Sequence, residues 1–152
     1  MRYFPFFVDI HDWNIVVIGA GKVAERRVAS LLNFQVHITI IAPRAVEQIQ
    51  KWAREGRVRL FLRPYRVGDL VGAMMVLATA DNGEVNDAAE REARDNSVLF
   101  NRCDDRNSCD FHFPGLCVKN DAVVGIHAGG EDHRTAARIT GKVKEVLADR
   151  CV

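Results

Sequence analysis

Residues 14–32 read NIVVIGAGKVAERRVASLL. Four apolar residues, Ile15, Val16, Val17 and Ile18, predict a short buried strand. Ala24, Val28, Leu31 and Leu32 recur at helical spacing and predict an amphipathic helix packed on it. Between them Gly19, Gly21 and Ala24 fill the pattern G-x-G-x-x-[GA]. Gly19 lets the chain turn off the strand, Gly21 lets backbone approach a pyrophosphate with no Cβ in the way, and Ala24 lets the helix lie close on the sheet. Lys22 and Val23 open the helix, so the first-turn N–H groups and the positive end of its dipole face the same anion. The pattern in this strand–turn–helix setting predicts dinucleotide binding.

Outward from this unit the chain alternates. Residues 35–42 (QVHITIIA) predict a second strand, ended by Pro43, with a helix through about Arg54. Val58–Phe61 predicts a third strand. Ala73–Ala80 predicts a fourth with almost no polar alternation, as in a strand covered on both faces. A helix over residues 82–96 and a strand over Ser97–Asn101 follow. This order implies an α/β fold, a Rossmann-like doubly wound parallel sheet. After Asp110 the pattern changes: Leu116–Val118 and Ala122–His127 flank KND as a hairpin, and Glu131–Asp149 reads as a last helix with Ala136, Ile139, Val143, Val146 and Leu147 on one face. A hairpin and one helix bury little alone. The expected division is a dinucleotide-binding domain over 1–113 and a small dimerisation segment over 114–152.

Of 152 residues, 48% are apolar, enough for a core. Twenty-one basic residues nearly cancel 20 acidic ones, so no strong field argues for nucleic acid. No apolar run approaches the roughly 20 residues a bilayer span needs, and the opening Phe4–Ile10 is too short and too interrupted by Asp9 for a secretory leader. The expectation is a cytoplasmic protein with no membrane partner. Cys103, Cys109, Cys117 and Cys151 are then free thiols; a site from Cys103, Cys109 and His112 does not match ordinary metal-ligand spacing, and no metal is expected.

Seven segments in register resemble one family, the precorrin-2 dehydrogenases of the siroheme synthase N-terminal type. YFPFFVDI (Tyr3–Ile10) is similar to the family's aromatic opening, and VVIGAGKVAERRV to VVGGGxVAxRKV. IIAP (Ile40–Pro43) is similar to the end of its second strand. ATADNGEVN (Ala78–Asn86) is similar to AATDDxxxN, FNRCDD (Phe100–Asp105) to NVxDD, CDFHFPGL (Cys109–Leu116) to CDFxFPAL, and VVGIHAGG (Val123–Gly130) to VIGISTGG. The resemblance implies oxidation of precorrin-2 to sirohydrochlorin with NAD as hydride acceptor, Fe²⁺ insertion in some members, and a homodimer. It implies a catalytic aspartate at Asp104, with Asp105 as the spare. A carboxylate beyond a parallel strand suits the proton lost in such an oxidation; turn composition alone would also account for it.

Cofactor contacts are expected from Gly19, Gly21, Lys22, Val23, Ala24, Ala42, Pro43, Thr79, Ala80 and Asp81. Helix N-capping is the plainer role for Asp81. The acid expected about 20 residues past the glycines is missing: Arg44 stands there, where it either meets a 2′-phosphate or opens a helix, and the resemblance favours NAD. Arg102, Arg138, Gly129 and Gly130 are expected to meet the polycarboxylate substrate. Arg134, Arg138 and Lys142 recur every fourth residue as one stripe, which is equally a solvated helix face. His127 and Ala128 replace the family's hydroxyls, Asp132 and His133 replace its SP, and the chain reads as shortened at its C-terminus. These departures leave open a non-catalytic carrier or sensor of nucleotide or tetrapyrrole on the same scaffold. A nucleotide-sensing domain that gates transport fits less well, since such domains carry the acid missing here.

Overall fold

The computed structural model describes residues 3–129 and 133–148. The chain forms two compact units, one over Asp9–Phe111, the other combining the residues up to Val8 with those from His112 onward.

In the larger unit β1 (Asn14–Ile18), β2 (His37–Ile41), β3 (Arg59–Phe61), β4 (Met75–Ala78) and β5 (Leu99–Arg102) form one sheet in the order β3-β2-β1-β4-β5. Every pairing is parallel, with Ile18 beside Ile41 on one side and Ala78 on the other. The doubly wound expectation holds. Helices α1 (Lys22–Leu31), α2 (Glu47–Arg54) and α3 (Gly83–Asp95) make three of the four crossovers, and a loop joins β3 to β4. The strands end within two residues of their predicted bounds. One shift matters: Arg102 is the last residue of β5, paired with Ala78, rather than part of the following loop.

Strand side chains alternate between faces. Val16, Ile18, Ile41, Val76, Ala78 and Phe100 join Ala89 and Ala93 of α3 in one core layer. Full burial of a side chain like Phe100 stabilises by roughly 1.5–3 kcal/mol. The alternate residues Ile15, Val17, Ile40 and Leu77 are just as buried, as are Ala24 and Val28 of α1 and Ile49 and Trp52 of α2. Ala24 has no exposed surface, as its place in the glycine pattern requires.

The connection between β3 and β4 is held by a residue the sequence reading did not single out. Glu92 of α3 is 6% exposed. It accepts hydrogen bonds from the Tyr65 hydroxyl, from Gly68 N at 3.0 Å and from Leu70 N at 2.9 Å. Burial, then the bond to Glu92, pushes the Tyr65 phenol well above its usual range. Replacing Glu92 with Gln turns one of these contacts donor against donor. The expected cost is about 1–3 kcal/mol, seen as a Tm lowered by about 5–10 °C in thermal unfolding.

In the smaller unit β6 (Gly115–Lys119) and β7 (Ala122–Ile126) form the predicted antiparallel hairpin. Lys119 pairs with Ala122, leaving the two-residue turn Asn120-Asp121, and Asn120 takes φ +50°, a conformation asparagine tolerates. Helix α4 (His133–Ala148) packs on the hairpin, with Cys117 Sγ donating to Thr140 O at 3.5 Å. Ile139 and Val146, predicted on its apolar face, are 36% and 57% exposed. The Tyr3 ring meets His112 and His127 edge-on, with centroids 4.4 and 4.9 Å away. These contacts group the opening segment with the C-terminal unit, whereas a boundary at 113 places it with the sheet.

Candidate functional site

Carboxyl ends of parallel strands are where a doubly wound sheet binds its ligand, at the point where strand order reverses. Here that point lies between β1 and β4, and backbone hydrogen bonds draw four loops to it. Gly19 N donates to Ile41 O at 2.9 Å, Val46 N to Ala20 O at 3.0 Å, Thr79 N to Ile18 O at 2.7 Å and Cys103 N to Ala78 O at 3.0 Å. The glycine turn thus touches the loops after β2 and β4, and the loop after β5 hangs from the end of β4.

The two glycines do different work. Gly19 has φ +98°, and a Cβ there would lie 2.6 Å from the Thr79 carbonyl oxygen. It is needed by the protein itself. Gly21 has φ −87° and ψ −166°, which any residue adopts, and a Cβ there would meet nothing within 4 Å. It also offers no side chain to cap α1. An open approach to uncapped helix N–H groups fits a pyrophosphate. Lys22 is largely exposed and pairs with Glu25 at 3.1 Å, while Val23 is half-buried to exposed at 37%.

Lys22, Val46, Glu47, Gln48 and Lys51 line a cleft of about 400 Å³ beside the turn. Ala42 is buried; Pro43 and Arg44 are exposed on the loop leading to it. Residues 41–44 carry no acid; Glu47, in the first turn of α2, is the acidic residue on this cleft, beside Lys22 and Lys51.

Thr79 is 6% exposed and its hydroxyl donates to Ile18 O at 2.9 Å, so only its backbone faces the turn. Asp81 is exposed and does not cap α3; Asn82 is the N-cap, accepting from Glu84 N at 2.9 Å. Asn86, fully buried, accepts from Ala80 N at 3.2 Å and donates to Ala80 O at 3.0 Å. Its amide also donates to Asp104 Oδ2 at 2.9 Å. One α3 side chain therefore joins the loop after β4 to the aspartate after β5.

Arg102 donates to Asp104 through Nε at 2.7 Å and Nη2 at 2.9 Å. Its Nη1 donates to Asp87 at 2.7 Å and Glu90 at 3.0 Å. This arginine stands where the motif NVxDD has valine. The Arg102 bonds, followed by the Asn86 amide and against partial burial, hold the Asp104 carboxyl well below the usual carboxylate range. Asp105 instead caps the short 3-10 turn at Arg106–Ser108. Cys109 Sγ accepts from Arg102 N at 3.3 Å, and burial raises the thiols of Cys103 and Cys109. Among the described residues no three His, Cys, Asp or Glu side chains are grouped to hold a metal ion.

Gly129 and Arg138 lie in the other unit: Gly129 at φ +66° in the loop after β7, Arg138 exposed on α4 between exposed Arg134 and Lys142. Gly130 lies outside the described residues.

A parallel sheet of order β3-β2-β1-β4-β5 with a glycine turn at its switch point defines a Rossmann-like dinucleotide-binding domain. The chain belongs to the family described as "Putative NAD(P)-binding", whose model matches residues 6–115. It is similar to siroheme synthase of Pseudoalteromonas atlantica, 35% identical over 130 residues, which are 86% of this chain and 28% of that protein. Siroheme synthase of Nitrosospira multiformis is 34% identical over 134 residues, again 86% of this chain and 28% of the relative. The chain thus spans under a third of the length of these relatives. The solved structure of SirC, a precorrin-2 dehydrogenase, shares the fold: its TM-score is 0.79 at 19% identity, over 95% of this chain and 71% of that one. No described helix is long and apolar enough to cross a membrane.

Proposed function

We propose that the chain oxidises precorrin-2 to sirohydrochlorin with NAD⁺, on the pathway to siroheme. The observation that carries this reading is the placement of Asp104 and the glycine turn at the same end of the sheet, joined through Asn86 and Ala80. Similarity to siroheme synthases supports the substrate class.

NAD⁺, when bound, supplies the hydride acceptor. Gly21 and the first turn of α1 receive its pyrophosphate, and the backbone of Thr79, Ala80 and Asp81 borders the nicotinamide half. Glu47, one of the residues lining the cleft, takes the place of the missing acid toward the adenosine ribose hydroxyls. Asp104, kept ionised, accepts the proton lost with the hydride. The half-exposed apolar residues of α4 support pairing of two copies into a homodimer, and the free thiols of Cys103, Cys109 and Cys117 suit the reducing cytoplasm.

The test is an anaerobic reaction with enzymatically generated precorrin-2 and NAD⁺, following sirohydrochlorin and NADH together. Both products are expected to rise in step. Gly21→Ala is the informative variant: it should leave Tm unchanged and weaken NAD⁺ binding by about tenfold or more, roughly 1.4 kcal/mol. Binding of NAD⁺ and tetrapyrrole without either product would turn the reading into that of a carrier.

A further inference from the structure

We infer that Arg102 is a positioning residue, holding the Asp104 carboxylate toward the reaction site, and not a ligand for the substrate's carboxylates. The inference rests on the reaction proposed above for Asp104. A guanidinium carries five N–H donors. Arg102 commits four of them to Asp104, Asp87 and Glu90, and its side chain is 9% exposed. An incoming carboxylate would find one donor at most, beside three carboxylates of its own sign.

The geometry is that of a clamp with two fixed ends. Asp87 and Glu90 lie one turn apart on α3 and grip Nη1. Nε and Nη2 then present a planar fork to both oxygens of Asp104, a two-point bond that sets the plane of the carboxylate as well as its position. Asn86, from the same helix, meets Oδ2 from another side at 2.9 Å. The titratable and charged groups around this aspartate are Arg102 at the end of β5, Asp87 and Glu90 on α3, the chain neighbours Asp105 and Arg106, and Cys103, which itself feels Arg27 of α1 and Asp81 after β4. Arg102 is the cation hydrogen-bonded to Asp104, so its removal takes away the paired positive charge and leaves the Asn86 amide on the carboxylate.

The sign of the pH effect follows. With Arg102 present, Asp104 stays ionised into strong acid. Without it, protonation of Asp104 moves up toward the ordinary carboxylate range, with the Asn86 amide still opposing it. The experiment is a carboxyl-detected NMR titration of ligand-free wild-type protein and of Arg102→Met, with the Asp104 signal assigned by its loss in Asp104→Asn. Wild-type Asp104 should not titrate before acid unfolding, whereas the variant should titrate at the higher pH. Should Arg102→Met fail to fold, Arg102→Met combined with Glu90→Gln removes a pair of opposite charges and answers the same question. An Asp104 signal that resists protonation in the folded variant as in wild type overturns the inference.

Turnover separates the two roles. For a positioning residue, Arg102→Met lowers kcat about tenfold or more, moves the acid limb of the kcat profile upward, and leaves KM for the tetrapyrrole within about twofold; Arg102→Lys recovers part of kcat. A raised KM with kcat and its acid limb unchanged would make Arg102 a substrate ligand and reject the inference. If wild-type protein forms no NADH, the proposed reaction fails, and the NMR titration still judges the clamp.

Discussion

Gly19→Ala is expected to unfold or badly weaken the nucleotide-binding unit. Its Cβ would stand 2.6 Å from Thr79 O, 2.7 Å from Thr79 C and 2.9 Å from Ala80 N, all backbone atoms. None can step aside cheaply. Thr79 is tied to Ile18 by both its amide and its hydroxyl, and Ala80 is held twice by Asn86. The φ of +98° adds strain of its own. Backbone strain and overpacking each cost about 1–3 kcal/mol, so the sum is about 2–6 kcal/mol, enough to lower Tm by about 10 °C or more. Thermal unfolding checks the stability loss, and calorimetry checks the accompanying loss of NAD⁺ binding. A Gly19→Ala protein with wild-type Tm would show that the turn is not packed against the end of β4 as described.

Asp104→Ala is expected to remove turnover while sparing the fold. Proton transfer by a positioned group contributes about 10²- to 10⁴-fold, and kcat for NADH formation should fall in that range. NAD⁺ affinity should stay within about twofold. Arg102 keeps Asp87 and Glu90 as partners, so the truncation leaves no buried charge stranded. Asp104→Asn keeps the shape but cannot accept the proton, and should lose as much. Wild-type turnover by both variants would remove Asp104 from the mechanism and pass the role to another acceptor.

The helix-capping reading of Asp81 illustrates how local logic can miss by one residue. Asp81 and Asn82 are both good N-cap types in sequence, and the choice depends on where the chain leaves β4. That exit is set by Thr79 and Ala80 binding to Ile18 and Asn86, contacts that span up to 61 residues. Arg102 is a stronger case. Beside Asp104 in a motif-like loop it reads as a basic residue offered to an anionic substrate. In the fold, the register of β5 with β4 brings it against Asp87 and Glu90, 15 and 12 residues away on α3. Nothing in the spacing of FNRCDD reports that neighbour, because it belongs to another element.

The succession of strands and helices and the glycine turn were legible from the chain because each rests on local pattern: apolar runs for buried strands, helical spacing for α1 and α3, and a turn that needs positive φ at Gly19. The same locality makes Gly21 readable as a place for close approach. Folding alone assigned the partners of charged side chains: Glu92 to the loop after β3, Arg102 to three carboxylates, Glu47 to the cleft beside Lys22. It also grouped Tyr3 with His112 and His127. Charge and ring contacts act over a few ångströms in space, and periodicity within one segment says nothing about which distant segment fills that space.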